Sequence, residues 1–249
     1  MPTSTVFSLG TNAPANGSGR AHVCWAFTSI DGHSKFSSYQ GNGSDTGPIV
    51  NLGFKPALLI IRRIDSGDNF YMFDHKRETS NPRNTSLRMN SSAAEGDITG
   101  DGVNFLSNGF QIITSDGALN ATNGKYIYMA WAADPDATSP TLADSFNAIA
   151  YTGDGSSNRT ISGVGFQPNF IWLKSRTTTE QHYIFDSIRN HFKYLHPNLT
   201  SAQGTDATTR LKEFNSDGFK IGNELSVNQN GANFIAWAWK ADDNEPTLL

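Results

Sequence analysis

Two aspartate–arginine pairs recur in the chain at the same spacing, and their residue types could do chemistry. Arg77 follows Asp74 by three residues, and Arg189 follows Asp186 in the same way. A glycosidase needs two carboxylates about 5 to 10 Å apart, one of which must hold a proton. An aspartate beside an arginine has a lowered pKa and is a poor general acid. We therefore predict that each pair is a structural ion pair that pins a loop.

Other catalytic patterns are equally weak. The chain has no Gly-x-Ser-x-Gly turn of the kind that presents a serine nucleophile. Five glutamates of the two units have no glutamate at the equivalent position of the other unit: Glu78, Glu95, Glu180, Glu213 and Glu224. The residue pattern predicts a protein that is not an enzyme, and glycan cleavage is the least favoured alternative.

Metal ligands are not clustered in the sequence. The acidic stretch 97–102 lacks the closing glutamate of a calcium loop, and Asp134-Pro135-Asp136 is no stronger. His191 and His196 are predicted to be solvated loop residues. The histidines have neither a helical His-x3-His pair nor a cysteine partner: His22, His33, His75, His182, His191 and His196. We predict no metal site and no cofactor.

Aromatic residues offer the better route to binding, because sugar-binding modules display tyrosine and tryptophan on loops or concave faces. Repetition of the aromatic positions favours core packing, and no binding residue is singled out. The tryptophans lie in apolar strand-like runs: Trp25, Trp131, Trp172, Trp237 and Trp239. The tyrosines that could serve a sugar site are Tyr39, Tyr71, Tyr151, Tyr183 and Tyr194.

Charge and composition exclude several partners. The net charge is −4, and lysine and arginine are scattered without runs. Nucleic acid and anionic membranes require a clustered basic face, so neither is expected as a partner. The sequence shows neither a signal-peptide pattern nor a membrane-length apolar stretch, which predicts synthesis in a cytosol. Cys24, the single cysteine, is expected to be a buried, inert thiol.

The elements that must position these residues come from an internal repeat. Residues 39–77 align with residues 151–189 at an offset of 112 without a gap. Such self-similarity predicts repeated structural units. The signature positions are Gly53, Phe54, Pro56, Asp74, Arg77 and Trp131 in the first unit, and Gly165, Phe166, Pro168, Asp186, Arg189 and Trp237 in the second.

Strands, rather than helices, follow from the local patterns. Gly-Phe-x-Pro places a proline at the first position of a strand, where its missing N–H is tolerated. The unbroken apolar runs 58–61 and 170–173 are typical of strands buried on both sides. Asn108-Gly109 and Asp217-Gly218 predict hairpin turns of the primed type. The best helical candidate, 201–214, is weak.

The fold class predicted is all-β, with tandem antiparallel β-sandwich units of jelly-roll or lectin-like type. The boundaries are a partial repeat and connector at 1–35, a first unit at 36–134, a linker at 135–147 and a second unit at 148–249 that ends in a short tail. Residues 7–27 repeat the residue pattern of the segment predicted to form the closing strands, Phe219 to Trp239. We expect these residues to form two strands that complete a sheet of the next unit or of a neighbouring subunit.

The motifs together resemble a known domain. Tyr-Thr-Gly-Asp-Gly at 151–155, Gly-Phe-Gln-Pro at 165–168, Phe-Asp-Ser-Ile-Arg at 185–189 and Trp-Ala-Trp-Lys at 237–240 carry the resemblance. The chain resembles an uncharacterised, often tandem β domain of tailed-bacteriophage virion proteins, marine and cyanobacterial phages among them. The resemblance implies a structural protein of lectin-like fold, and it transfers no catalytic or binding residues.

The sequence leaves two functions open besides glycan cleavage, the least favoured one. The favoured one is a virion component of the tail, a fibre or the capsid surface, which acts through assembly with other virion proteins and as a homo-oligomer. The alternative is an adhesin that binds a host-surface glycan. The expected location is the virion, after synthesis in the host cytoplasm.

Overall fold

The computed structural model describes residues 6–100, 102–132 and 145–241. Within these ranges the protein is nearly all β, in two similar halves with antiparallel sheets, which confirms the predicted tandem β-sandwich. The helices are single turns: α1 (Ala13–Asn16), α2 (Gly117–Asn120) and α3 (Leu225–Asn228). None of the described helices has the length and hydropathy of a membrane span.

The first unit contains nine strands in the described part of the chain. They are β1 (Ser34–Gln40), β2 (Ile49–Asn51), β3 (Pro56–Arg63), β4 (Phe70–Asp74), β5 (Thr85–Arg88), β6 (Gly96–Asp97), β7 (Val103–Leu106), β8 (Gly109–Ile112) and β9 (Lys125–Ala132). One sheet has the order β1-β9-β3-β4-β5-β6, and a smaller sheet has the order β2-β8-β7.

The second unit repeats this plan. Its strands are β10 (Phe146–Thr152), β11 (Arg159–Ser162), β12 (Phe170–Ser175), β13 (Tyr183–Asp186), β14 (Lys193–Leu195), β15 (Gly204–Thr205), β16 (Leu211–Asn215), β17 (Gly218–Ile221) and β18 (Asn233–Trp239). The sheets have the orders β10-β18-β12-β13-β14-β15 and β11-β17-β16. Each unit is therefore a sandwich of a six-stranded and a three-stranded sheet.

Three apolar cores hold this arrangement together. One core fills each sandwich, and it contains Leu59 and Phe110 in the first unit and Ile171 and Phe219 in the second. The third core lies between the two six-stranded sheets, which pack face to face. Its members include Leu58, Ile60, Met72 and Leu87 from the first unit, and Trp172, Ile184, Ile235 and Trp237 from the second.

The third core explains the unbroken apolar runs. Along β3, Leu59 and Ile61 point into the sandwich, whereas Leu58 and Ile60 point toward the other unit. Successive side chains of a strand alternate between the two faces of a sheet, so two-sided burial requires a layer on each side. The second layer is the six-stranded sheet of the other unit, so the two units of the chain form one body of four sheets.

The hairpin glycines are required by close packing. Both predicted hairpins form, but Gly109 and Gly218 are the first residues of β8 and β17 rather than turn residues. The turns are 107–108 and 216–217, and none of these residues has the positive φ that a primed type needs. A Cβ on Gly109 would lie 2.0 Å from the carbonyl oxygen of Val50, and one on Gly218 would lie 2.1 Å from that of Ile161. The neighbouring strand therefore excludes any side chain at this position.

The prediction for residues 7–27 was wrong for the isolated chain. This segment contains α1 but no strand, and Cys24 is exposed rather than buried. Phe27 nevertheless packs its ring against Trp131 and Trp239, at centroid distances of 5.5 Å and 5.9 Å. The segment thus covers one end of the third core instead of extending a sheet.

Other local predictions differ in detail. The weak helical candidate 201–214 contains β15 and the start of β16, because its residues pair with β14 and β17. Pro56 begins β3, but Pro168 precedes β12 by two residues. Phe146 and Asn147 already belong to β10, although they fell in the predicted linker, whose residues 135–144 lie outside the described ranges. The predicted tail from residue 242 onward lies outside them as well.

Candidate functional site

Both predicted ion pairs form, at the end of equivalent strands. Arg77 Nε lies 2.5 Å from Asp74 Oδ2, and Arg189 Nε lies 2.7 Å from Asp186 Oδ2. In each pair the backbone N–H of the arginine donates to the other carboxylate oxygen, at 2.9 Å and 2.8 Å respectively. The guanidinium also reaches the carbonyl oxygen of Met72 or Ile184 on the same strand. Each pair therefore fixes the loop that follows its strand.

The electrostatics of the first pair disfavour acid catalysis. Burial by itself would raise the pKa of Asp74, but the charge and hydrogen bonds of Arg77 outweigh it and leave the pKa below its ordinary value. Neither side chain of the pair is more than 1% exposed. A carboxylate that is ionised, enclosed and fully hydrogen-bonded is a structural group.

The remaining signature residues occupy structural positions as well. Gly53 and Gly165 have φ values of 93° and 92°, a left-handed conformation that favours glycine. Phe54 and Phe166 are buried in the cores of their own sandwiches. Ser34 and Phe146 are equivalent positions, because they are separated by the repeat offset of 112. Ser34 pairs with Trp131 and Phe146 pairs with Trp239, so Trp131 corresponds to Trp239. Trp237 therefore corresponds to Met129, not to Trp131.

The aromatic residues proposed for sugar binding are largely committed to packing. The Tyr39 ring stacks on Tyr126 at 4.8 Å and its hydroxyl donates to the Leu119 carbonyl oxygen at 2.6 Å. Tyr151 does the same with Phe234 and the Val227 carbonyl oxygen. Burial raises the pKa of both tyrosine hydroxyls. These tyrosines therefore hold α2 and α3 against the sheets.

A buried polar cluster lies at the edge of the third core. His182 accepts a hydrogen bond from Trp172 Nε1 at its Nδ1, 2.9 Å away, and its Nε2 lies 3.0 Å from the Arg88 carbonyl oxygen of the first unit. Burial first, and the charge of Lys174 second, lower the pKa of His182 to about 3. The ring is therefore neutral, with its proton on Nε2.

Lys174 is the unusual cation of this cluster, because its side chain is fully buried. Its ammonium donates to the carbonyl oxygens of Ser175 and Thr178, at 2.7 Å and 3.4 Å. Burial lowers its pKa to about 8. Close by, Arg176 Nε of the second unit donates to Glu95 Oε2 of the first unit at 2.9 Å, so polar contacts join the units around the apolar centre.

A groove with a volume of about 450 Å³ opens on the surface of the second unit. It lies along the loop between β13 and β14 and reaches β16. The lining residues are Ser187, Ile188, Arg189, Asn190, His191, Phe192, Lys193 and Phe214. Asn190 has a φ of 89°, which non-glycine residues adopt rarely. The groove combines two aromatic rings with basic side chains, and no carboxylate lines it.

The sequence missed both the buried cluster and the groove. Lys174 could have been noticed, since a charged residue in a run of buried strand residues is unusual. His191, taken for a solvated residue, lines the groove, and His196 hydrogen-bonds through Nδ1 to the His182 carbonyl oxygen. Asp97 lies in β6 rather than in a plain turn, and its carboxylate accepts a hydrogen bond from the Thr85 hydroxyl. Asp101, Asp134 and Asp136 lie outside the described ranges.

Metal binding has no visible basis in the described ranges. Among residues 6–100, 102–132 and 145–241, no three side chains of histidine, cysteine, aspartate or glutamate come close enough together to hold an ion.

The fold and these contacts define the class of protein: a tandem pair of two-sheet β-sandwiches whose larger sheets share a core. The family model described as a domain of unknown function, DUF7483, matches residues 1–135 and again residues 141–247, so the chain belongs to that family. The first match includes residues 1–35. Searches of curated proteins and of solved structures gave no match.

Proposed function

We propose that the protein is a non-enzymatic structural component of a tailed-phage virion that acts by assembling with copies of itself and with other virion proteins. The observation that carries this proposal is the third core between the six-stranded sheets. Two units that bury a common apolar face behave as one rigid body rather than as beads on a linker. Rigidity over two fused units suits a particle component, and the resemblance of the repeat motifs supports the same role.

A contact surface for such assembly is available at the N-terminal segment. Phe7 and Leu9 are 50% and 52% exposed, and neither belongs to an apolar core. Large exposed apolar side chains close together in the chain are typical of interaction sites. A second copy or another virion protein would cover them.

Quantitative mass spectrometry of purified particles tests the virion role. The expected result is a fixed number of copies per particle, counted against the major capsid protein, with an abundant host cytosolic protein as the measure of contamination. A copy number no higher than that of the host protein would refute the role.

Light scattering of the recombinant full chain tests self-assembly. We expect an oligomer, and we expect Phe7→Ser with Leu9→Ser to shift it toward monomer. Ile64→Ser is the matched control, because Ile64 is 54% exposed on another part of the surface. An unmodified chain that remains monomeric at high concentration would contradict the homo-oligomer.

Glycan binding is the second candidate function, and the groove between β13, β14 and β16 is the observation that favours it. Sugar rings pack their apolar face on aromatic side chains while polar groups around the rim bind their hydroxyls. Phe192 and Phe214 supply the rings, and Ser187 and Asn190 supply polar groups. A glycan array probed with the full chain tests this function, and binding to no glycan at high protein concentration would refute it.

A further inference from the structure

We propose that the groove of the second unit binds an acidic saccharide, with Phe214 as the platform for the sugar ring and Lys193 as the partner of its carboxylate. The proposal rests on the second candidate function, glycan binding, and gives that function a site and a ligand class. It does not depend on virion assembly. The groove has no counterpart at the same place in the first unit.

The first unit fills this place with its own side chains. The Arg83 guanidinium lies 4.2 Å from the centroid of the Phe105 ring, and the backbone of Arg83 is bridged to Val103. The Asn81 side chain holds the backbone of Phe105 through both its amide nitrogen and its oxygen, each at 2.9 Å. Phe105, which also packs in the core of the first sandwich, is only 3% exposed. The aromatic position of the first unit is therefore closed.

The register of the strands identifies the equivalent residues in the second unit. Phe105 pairs with Phe110, and Phe214 pairs with Phe219 at the same place in the second unit, so Phe214 corresponds to Phe105. Thr85 pairs with Asp97, and Lys193 pairs with Thr205 at the same place in the second unit, so Lys193 corresponds to Thr85. Two residues earlier in the chain, His191 therefore corresponds to Arg83.

The second unit leaves the position open. The loop before β14 spans only residues 187–192, whereas the loop before β5 spans residues 75–84. His191 packs its ring against Phe192 at 5.3 Å and makes no ring contact with Phe214. Phe214 stays partly exposed and lines the groove. The groove thus lies where the first unit places a planar cationic group on an aromatic ring.

The charges of the groove select the ligand. Arg189 is paired with Asp186, but the side chains of Lys193, His191 and Asn190 make no hydrogen bond or ion pair with any described residue. With no carboxylate in the lining, the groove carries unbalanced positive charge beside two aromatic rings. A ligand with an apolar face and a carboxylate satisfies both features. The volume of about 450 Å³ lies within the usual range for small-ligand sites and fits one or two sugar rings.

The test compares acidic and neutral saccharides on the full chain. A panel of uronic-acid and sialic-acid oligosaccharides is titrated beside neutral oligosaccharides of matched length and linkage, and inorganic phosphate serves as a plain anion. We expect at least one acidic saccharide to bind at least about tenfold more tightly than its neutral counterpart and than phosphate. Equal binding of the neutral counterpart would overturn the acidic class while leaving glycan binding intact. Equal binding of phosphate would show a simple anion site and overturn the proposal.

Three variants locate the binding. His191→Arg should place a guanidinium over Phe214, as Arg83 lies over Phe105, and reduce affinity at least about tenfold by filling the groove. Lys193→Gln should reduce affinity for the acidic saccharide but not for its neutral counterpart. Lys220→Gln is the matched control, since it removes the same charge from the same unit outside the groove, and it should change nothing. Circular dichroism confirms that each variant is folded.

Two results would reject the site or the function. Unchanged binding by folded His191→Arg would overturn the assignment to this groove. Binding of no saccharide at all would overturn both this inference and the glycan-binding function, and the particle composition would still decide the virion role separately.

Discussion

The indole Nε1 of Trp237, in the second unit, donates a hydrogen bond to Asp74 Oδ2, in the first unit, across a distance of 3.3 Å. Asp74 is thereby the point where an ion pair within one unit meets the other unit. Asp186, its counterpart, receives no such bond from any described residue of the first unit, because Met129 occupies the position that corresponds to Trp237. The two repeated pairs are therefore alike in geometry but unequal in their surroundings.

Asp74→Asn should destabilise the protein more than Asp186→Asn. The first substitution removes the nearer of two carboxylates from the Arg77 guanidinium, 1% exposed, and leaves only Glu95, whose Oε2 lies 3.5 Å from Nη1. Removing one partner of a buried ion pair costs about 3–5 kcal/mol. Arg189 is 11% exposed and retains partial hydration, so the matched substitution should cost about half as much. Urea unfolding of both variants measures the difference. An equal cost for the two would contradict the unequal roles.

The third core should make the two units unfold together. Ile60→Ala removes a side chain that is 2% exposed in that core, and such truncations cost about 2–5 kcal/mol. We expect one calorimetric transition in the unmodified chain and a downward shift of the whole transition in the variant. Ile64→Ala, at a residue that is 54% exposed, is the control and should change stability by less than about 0.5 kcal/mol. Two resolved transitions in the unmodified chain would refute the coupling.

His182 should make the protein acid-sensitive. Its pKa in the folded state is about 3, against 6.5 for an ordinary histidine, because burial and Lys174 disfavour the charged ring. The unfolded state binds more protons between these values, so stability should fall as the pH decreases from 6.5 toward 3. His182→Phe, which installs the residue found at the equivalent Phe70, should flatten this part of the profile. Melting temperatures measured from pH 7 to pH 4 test the effect, and parallel profiles would count against it.

Lys174 should act at the opposite end of the pH range. Its pKa in the folded state is about 8, against 10.5 for an ordinary lysine, because it is buried. The unfolded state again binds more protons between these values, so stability should rise as the pH increases from 8 to 10.5. Lys174→Met should lack this rise, whereas Lys220→Met, on the surface of the same unit, should keep it. Urea unfolding at pH 8 and at pH 10 compares the three proteins.

Short-range patterns were sufficient to predict the units. The short hairpins at Gly109 and Gly218, the apolar runs of β3 and β12, and the Asp74–Arg77 spacing report chain reversal, burial and pairing over a few residues. Repetition at a fixed offset then predicted two copies of one sandwich. The runs also indicated burial on both faces, although they did not say what covers the second face.

Long-range contacts explain what the sequence could not predict. The groove exists because a loop is shorter and His191 replaces Arg83, and its chemistry depends on Phe214, which is distant in the chain. The buried cluster likewise brings His182 to the Arg88 carbonyl oxygen of the other unit. Neither relationship leaves a local pattern, because each depends on which surfaces meet.

Residues 7–27 show most clearly what the sequence determines and what depends on the tertiary structure. By itself the sequence determined that Phe27 occupies the repeat position of Trp239, and it predicted a strand there from that likeness. The tertiary structure decided that Phe27 packs against Trp131 and Trp239 at the end of the third core, without strand pairing. The physical reason is that a strand needs a partner with free backbone groups, whereas an aromatic ring needs only an apolar surface, and the docking of the two six-stranded sheets creates that surface.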